Sequence, residues 1–223
     1  METIKLGIPV GQGKVSGLLL RPDYAEALYL FAHGAGVGMT HPTMAAFAKG
    51  LADRAIATVR FNFPYMERGG GRPDVPPVAH ATIRAAAMAA GKFAYDLPLF
   101  AGGRSYGGRM TSQAQAIEPI ADVKGLVFFG FPLHPAGQPA TDRADHLAKV
   151  EVPMLFVSGD RDPLADFPSL ESVVEGLGEN ATLHAIKGGD HSLRVSKGSG
   201  RNPADAFNEA LDTAADWMKA LSS

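Results

Sequence analysis

"LPLFAGGRSYGGRM", Leu97 to Met110, runs an apolar segment straight into glycines around a single serine and then resumes with residues able to start a helix. Gly103, Ser105 and Gly107 fit G-x-S-x-G. In a chain with 26 glycines that spacing alone is easily met by accident. The setting gives it weight. Leu97–Ala101 reads as a strand and Tyr106–Glu118 as a helix, so Ser105 falls on a sharp strand-to-helix turn, the geometry of a nucleophile elbow. A serine in strained backbone geometry needs neighbours without Cβ atoms, because strand and helix approach closely there. The free N–H groups of the helix start point at the same place, where they favour the oxyanion of acyl transfer.

Outward from this stretch, short apolar runs alternate with longer alanine-rich segments that carry charges on one side, which is an α/β pattern. The strand readings are Val15–Leu20, Ala27–Ala32, Ala55–Phe61, Leu97–Ala101, Gly125–Phe129, Met154–Val157 and Thr182–Ile186. Several are apolar throughout, as strands covered on both faces should be. Helices are expected at Pro42–Arg54, Val78–Tyr95, Tyr106–Glu118, Phe167–Leu177 and Pro203–Leu221. The 223 residues suit one domain spanning 1–223. Pro64–Pro77, rich in glycine and proline, reads as an exposed loop.

A serine is a weak nucleophile unless a base takes its proton. In folds built around such an elbow the chain order is nucleophile, acid, base, so the base should follow the last strand. Of seven histidines, His33, His41 and His80 precede Ser105, and His134 and His146 precede the best acid. His184 lies inside the apolar run "ATLHAI", whereas His191, in "KGGDHSL", sits on the turn beyond it and is the expected base. The acid belongs in "MLFVSGDRDPLAD", where Asp160, Asp162 and Asp166 compete. Asp162 is preferred over Asp160 because it stands further from the strand, with Pro163 to stiffen the turn. Pocket-lining side chains should follow the strands at their carboxyl ends, which nominates His41, Tyr65, Arg68 and His134. Arg104 should point away from Ser105, into an ion pair beneath the sheet.

Composition removes other classes. A net charge of -2 offers no electrostatic reason to bind nucleic acid or a membrane surface. Without cysteine there is no disulfide framework, thiolate nucleophile or cysteine-ligated metal. The start, "METIKLGIPVGQGK", lacks the apolar core of a signal peptide, so a cytoplasmic location is the default expectation. "FAHGAGVGM" has the opening of a dinucleotide-binding turn, but Met39 stands where the third glycine belongs and no acid ends the next strand. Neither a phosphate loop nor H-E-x-x-H occurs. The expected partner is a small-molecule substrate, with no cofactor and no metal.

Taken together, "FAHGAGVGMTHP", "VRFNFPYMERGGGRP", "GGRSYGGRM", "FFGFPLHPAG", "GDRDPL" and "GDHSL", in that order, make the chain resemble an α/β-hydrolase over nearly its whole length. It is similar in particular to the small lidless bacterial branch akin to dienelactone hydrolases and to the testis-expressed hydrolase-like proteins. The resemblance implies a mostly parallel sheet with helices on both faces and no cap domain. It also implies Ser105, Asp162 and His191 as the triad, with the amides of Ala35 and Tyr106 as the oxyanion hole. Dienelactone hydrolases proper have cysteine at the nucleophile, so their lactone specificity does not transfer. The expected activity is that of a metal-independent serine hydrolase acting on an ester or related acyl bond. A catalytically silent scaffold that binds a ligand or protein is the alternative.

Overall fold

Every residue of the runs Ala27–Ala32, Ile56–Phe61, Leu99–Arg104 and Met154–Gly159 is buried, as continuous apolar strands are when both faces of a sheet are covered. The computed structural model describes residues 2–222. Its strands are β1 (Glu2–Val10), β2 (Gly13–Arg21), β3 (Ala27–Ala32), β4 (Ile56–Phe61), β5 (Leu99–Arg104), β6 (Val123–Phe129), β7 (Met154–Gly159) and β8 (Ala181–Ile186). They form one sheet in the order β1-β2-β4-β3-β5-β6-β7-β8. Only β2 runs against the rest, antiparallel to both β1 and β4, while β3 to β8 pair in parallel. Parallel neighbours put their carboxyl ends on one edge, and the loops that leave those ends meet there.

The helices are α1 (Pro42–Ala52), α2 (Pro64–Glu67), α3 (Pro76–Phe93), α4 (Tyr106–Ile117), α5 (Phe167–Gly176) and α6 (Pro203–Ala220). Phe47 of α1 and Leu211 of α6 cover one face of the sheet, against Phe31 and Phe129. Ile83, Met110 and Leu170, from α3, α4 and α5, cover the other against Leu30, Phe128 and Phe156. Proline stands in the first turn of α1, α2, α3, α5 and α6, where a missing N–H costs nothing. Helix α4 is the exception. It starts directly on Ser105, whose side chain makes no cap, so its first amides stay free.

The strand and helix readings fall on observed elements, and a strand and a short α-helix, besides 3₁₀ segments, add to them. Strand β1 lies outside those readings, and part of the Pro64–Pro77 loop is the single-turn helix α2. Between β6 and β7 the only regular structure is a 3₁₀ segment, Asp142–Lys149, so no cap domain is inserted there. Among the described residues no helix is long and apolar enough to cross a membrane.

Candidate active site

Ser105 has φ 48° and ψ −117°, a left-handed conformation costly for a residue with a Cβ. The close approach of β5–α4 to the end of β3 holds it there. A Cβ on Gly103 would lie 2.3 Å from the Ala32 carbonyl oxygen, and one on Gly107 would lie 2.6 Å from the carbonyl oxygens of Ala32 and His33. Both glycines of the motif are therefore required by contact with backbone, which cannot rotate away. The Ser105 N–H donates to the Phe129 carbonyl at 3.3 Å, tying the elbow to β6.

Ser105 Oγ lies 2.8 Å from His191 Nε2, and His191 Nδ1 lies 2.7 Å from Asp162 Oδ2. The Asp162 carboxylate is fully buried, and its second oxygen accepts the Leu164 N–H at 2.7 Å, which fixes its orientation. Asp160 is turned away from the histidine. Its Oδ1 accepts the Gly188 N–H at 2.6 Å and ties the loop after β7 to the loop after β8. Those loops also touch backbone to backbone, since a Cβ on Gly159 would fall 2.1 Å from the Gly189 carbonyl oxygen. His184 faces outwards, its Nε2 2.9 Å from Glu209 Oε1 on α6. Asp166 caps α5 through the Ser169 N–H.

Among the described residues two amides at the elbow have no acceptor. Tyr106 is the first residue of α4, so its N–H has no intrahelical partner, and among the described residues the Ala35 N–H donates to no protein group. His33 holds the turn that carries Ala35. Its Nε2 accepts the Phe63 N–H at 3.1 Å, and its Nδ1 lies 2.8 Å from the Gly34 carbonyl oxygen. Both bonds suit the neutral ring, and burial lowers its pKa from 6.5 to about 4.

A family model described as "Alpha/beta hydrolase domain" matches residues 25–219. The chain belongs to the alpha/beta hydrolases. Solved structures similar to it include a dienelactone hydrolase from Anabaena variabilis, with a TM-score of 0.75 at 20% identity over 98% of this chain and 97% of that one. An α/β serine hydrolase without lid from Xanthomonas campestris gives a TM-score of 0.74 at 21% identity, covering 97% and 94%. The esterase domain of a Rhodothermus marinus protein gives 0.74 at 15% identity, with both chains covered fully.

In this alpha/beta hydrolase the serine opens into a cavity of about 360 Å³ whose walls include Ala35, Tyr106, Pro132 and Leu164. The four nominated pocket residues lie elsewhere, each occupied by local structure. His41 is exposed and caps α1 by accepting the Thr43 N–H. Tyr65 is buried beneath the Ala35 turn, its hydroxyl accepting the Gly36 N–H at 3.3 Å. Arg68, itself exposed, pairs with the buried carboxylate of Asp74 at 2.7 Å. His134 is buried, and its Nε2 accepts the Asp166 N–H at 3.2 Å. Arg104 does point away from Ser105, but to no carboxylate: it lies over the Phe47 ring, 5.7 Å from the centroid, and donates to Ser192 Oγ at 3.3 Å. Three residues not nominated, Arg72, Arg109 and Arg143, line the cavity instead. Only Arg109 carried a sequence signal, standing one helical turn after Ser105 on the same side of α4.

Proposed function

We propose that the protein is a serine hydrolase that cleaves an ester or related acyl bond of a small substrate through an acyl-enzyme. The observation that carries this reading is the unbroken hydrogen-bonded line from the Ser105 hydroxyl through both ring nitrogens of His191 to the buried Asp162, at 2.8 and 2.7 Å. Ser105 Oγ attacks the substrate carbonyl carbon while its proton passes to His191 Nε2. The tetrahedral oxyanion accepts the N–H groups of Ala35 and Tyr106. Collapse breaks the acyl C–O bond, and the leaving alcohol takes the proton from Nε2. Water, deprotonated by His191, then releases the acid and returns the proton to Ser105. Asp162 orients the ring and stabilises its charged form without taking the proton.

A fluorophosphonate probe tests the reading directly. One covalent label is expected on Ser105 of the native protein, with none on the Ser105→Ala variant or after denaturation. An unlabelled native protein would indicate the silent scaffold instead. Because every proton in the scheme moves between side chain, substrate and water, EDTA should leave ester hydrolysis unchanged. Loss of activity that added metal restores would overturn the scheme.

A further inference from the structure

The cavity at Ser105 is far more basic than a chain of net charge -2 leads one to expect, with Arg72, Arg109 and Arg143 in its wall and no carboxylate among its lining residues. Elsewhere five arginines are neutralised by carboxylates: Arg21 pairs with Asp96, Arg54 with Asp212, Arg68 with Asp74, Arg84 with Glu118 and Arg201 with Glu209. Arg60, which donates to the Met39 carbonyl, and Arg104, which lies over the Phe47 ring, have no such partner among the described residues and share with Arg109 a buried Nε that lacks an acceptor. Among the described residues none of the three cavity arginines has such a partner. Arg109 is half-buried, and its Nε is fully buried without any hydrogen-bond acceptor. Burial and the like charge of Arg143 both push the Arg109 pKa down from its ordinary value, which marks a guanidinium missing its counter-charge. Leaving such donors unsatisfied beside a reactive serine is costly unless a ligand completes them.

The geometry points to an anionic substrate: an ester whose acyl or alcohol part carries an oxyacid group, carboxylate or phosphate, gripped by Arg109 and Arg143 with Arg72 at the loop side of the cavity. Guanidinium groups match the two oxygens of such a group and remain charged at any working pH. Arg109 is carried by the helix that begins on Ser105 and lines the same cavity, so the anion is held on the side of the reacting carbonyl that faces α4. One cavity shared by serine and arginines suits a short acid with an ester at one end and a free anion at the other. The position of the scissile bond rests on the proposed serine chemistry, whereas the anion site itself does not.

Two measurements keep these ideas separable. The first compares p-nitrophenyl hydrogen glutarate with p-nitrophenyl valerate, which have acyl chains of equal length and differ in charge. The ratio of their kcat/KM values should favour the glutarate ester tenfold or more at low salt, as charge-assisted hydrogen bonds predict. The ratio should fall towards one in Arg109→Gln and in Arg143→Gln, and as salt is added. A ratio of one or below in the parent protein overturns the anion site while leaving the serine chemistry standing. If neither ester is cleaved, the serine chemistry fails, and the second measurement still decides. Calorimetric titration of folded Ser105→Ala protein with glutarate and with inorganic phosphate should show saturable binding that Arg143→Gln weakens at least tenfold. The tighter of the two ligands identifies the anion. Absence of binding for both, or binding that Arg143→Gln leaves unchanged, overturns the proposal.

Discussion

His191 and His184 are seven residues apart and chemically identical, yet one touches Ser105 Oγ and the other Glu209. His191→Ala should lower kcat by several orders of magnitude, while His184→Ala keeps it within a few-fold; steady-state kinetics on a simple ester measures both. The aspartates divide similarly. Asp162→Asn should cost about 10⁴ in kcat by disturbing the imidazole tautomer. Asp160→Ala, which leaves the Gly188 N–H unpaired, should instead lower Tm with little change in kcat. Chain order is enough to single out His191 and to prefer Asp162, because a base beyond the last strand and an acid beyond the one before it are properties of the linear sequence. The cavity arginines are of another kind. Arg72 stands on the loop before α3 and Arg143 in the 3₁₀ segment Asp142–Lys149, distant in sequence, and only the folded sheet edge brings them to the cavity beside Arg109.

The elbow is an element-scale device, and its weak point is steric. Gly107→Ala would drive a methyl group into the carbonyls of Ala32 and His33. A loss of about 2–4 kcal/mol is expected, seen as a Tm drop of roughly 5–15 °C. The turn beside it gives a pH signature. The folded-state pKa of His33 is lowered from 6.5 to about 4 by burial, as is that of His146, where burial acts together with Arg109. Between those pH values the unfolded chain binds more protons than the folded one. The stabilisation is therefore complete above about pH 6.5 and lost as pH falls towards 4, on the order of 3 kcal/mol for His33. Urea midpoints measured from pH 7 to pH 4 should fall accordingly, and His33→Gln should flatten the slope. Most strands and helices are readable because apolar runs and amphipathic spacing survive in the sequence. Strand β1 is not, although Leu6 and Ile8 are buried in strict alternation with exposed Lys5, Gly7 and Pro9. Gly7 and Pro9 read as breakers, yet β1 is an edge strand, where a missing donor is tolerated.

For the whole molecule, the short 3₁₀ segment between β6 and β7 means that little apolar wall stands over the cavity. Each further CH₂ of a long acyl chain left in water forgoes roughly 0.8 kcal/mol of burial. Among neutral p-nitrophenyl esters from acetate to laurate, kcat/KM should therefore stop improving after the first few carbons; a steady climb through the long chains would reveal an apolar acyl site. Tyr65 forms no partial lid over the serine, since its ring is packed beneath the Ala35 turn. The absence of a cap is legible from the length of Pro132–Pro153, but the burial of Tyr65 is not, because it depends on a turn 31 residues away in the chain. The contact of Gly159 with Gly189 has a thermal consequence. The loops bearing Asp162 and His191 meet main chain to main chain with no side chain between them, whereas the serine arrives on a separate strand, tethered by a 3.3 Å bond to Phe129. His191 in turn packs its own carbonyl against Gly130, where a Cβ would lie 2.7 Å away, next to the Phe129 that holds Ser105. The three segments are thus pinned to one another by main chain, and on warming the downfield proton resonance of the His191–Asp162 pair should disappear together with turnover, in one transition.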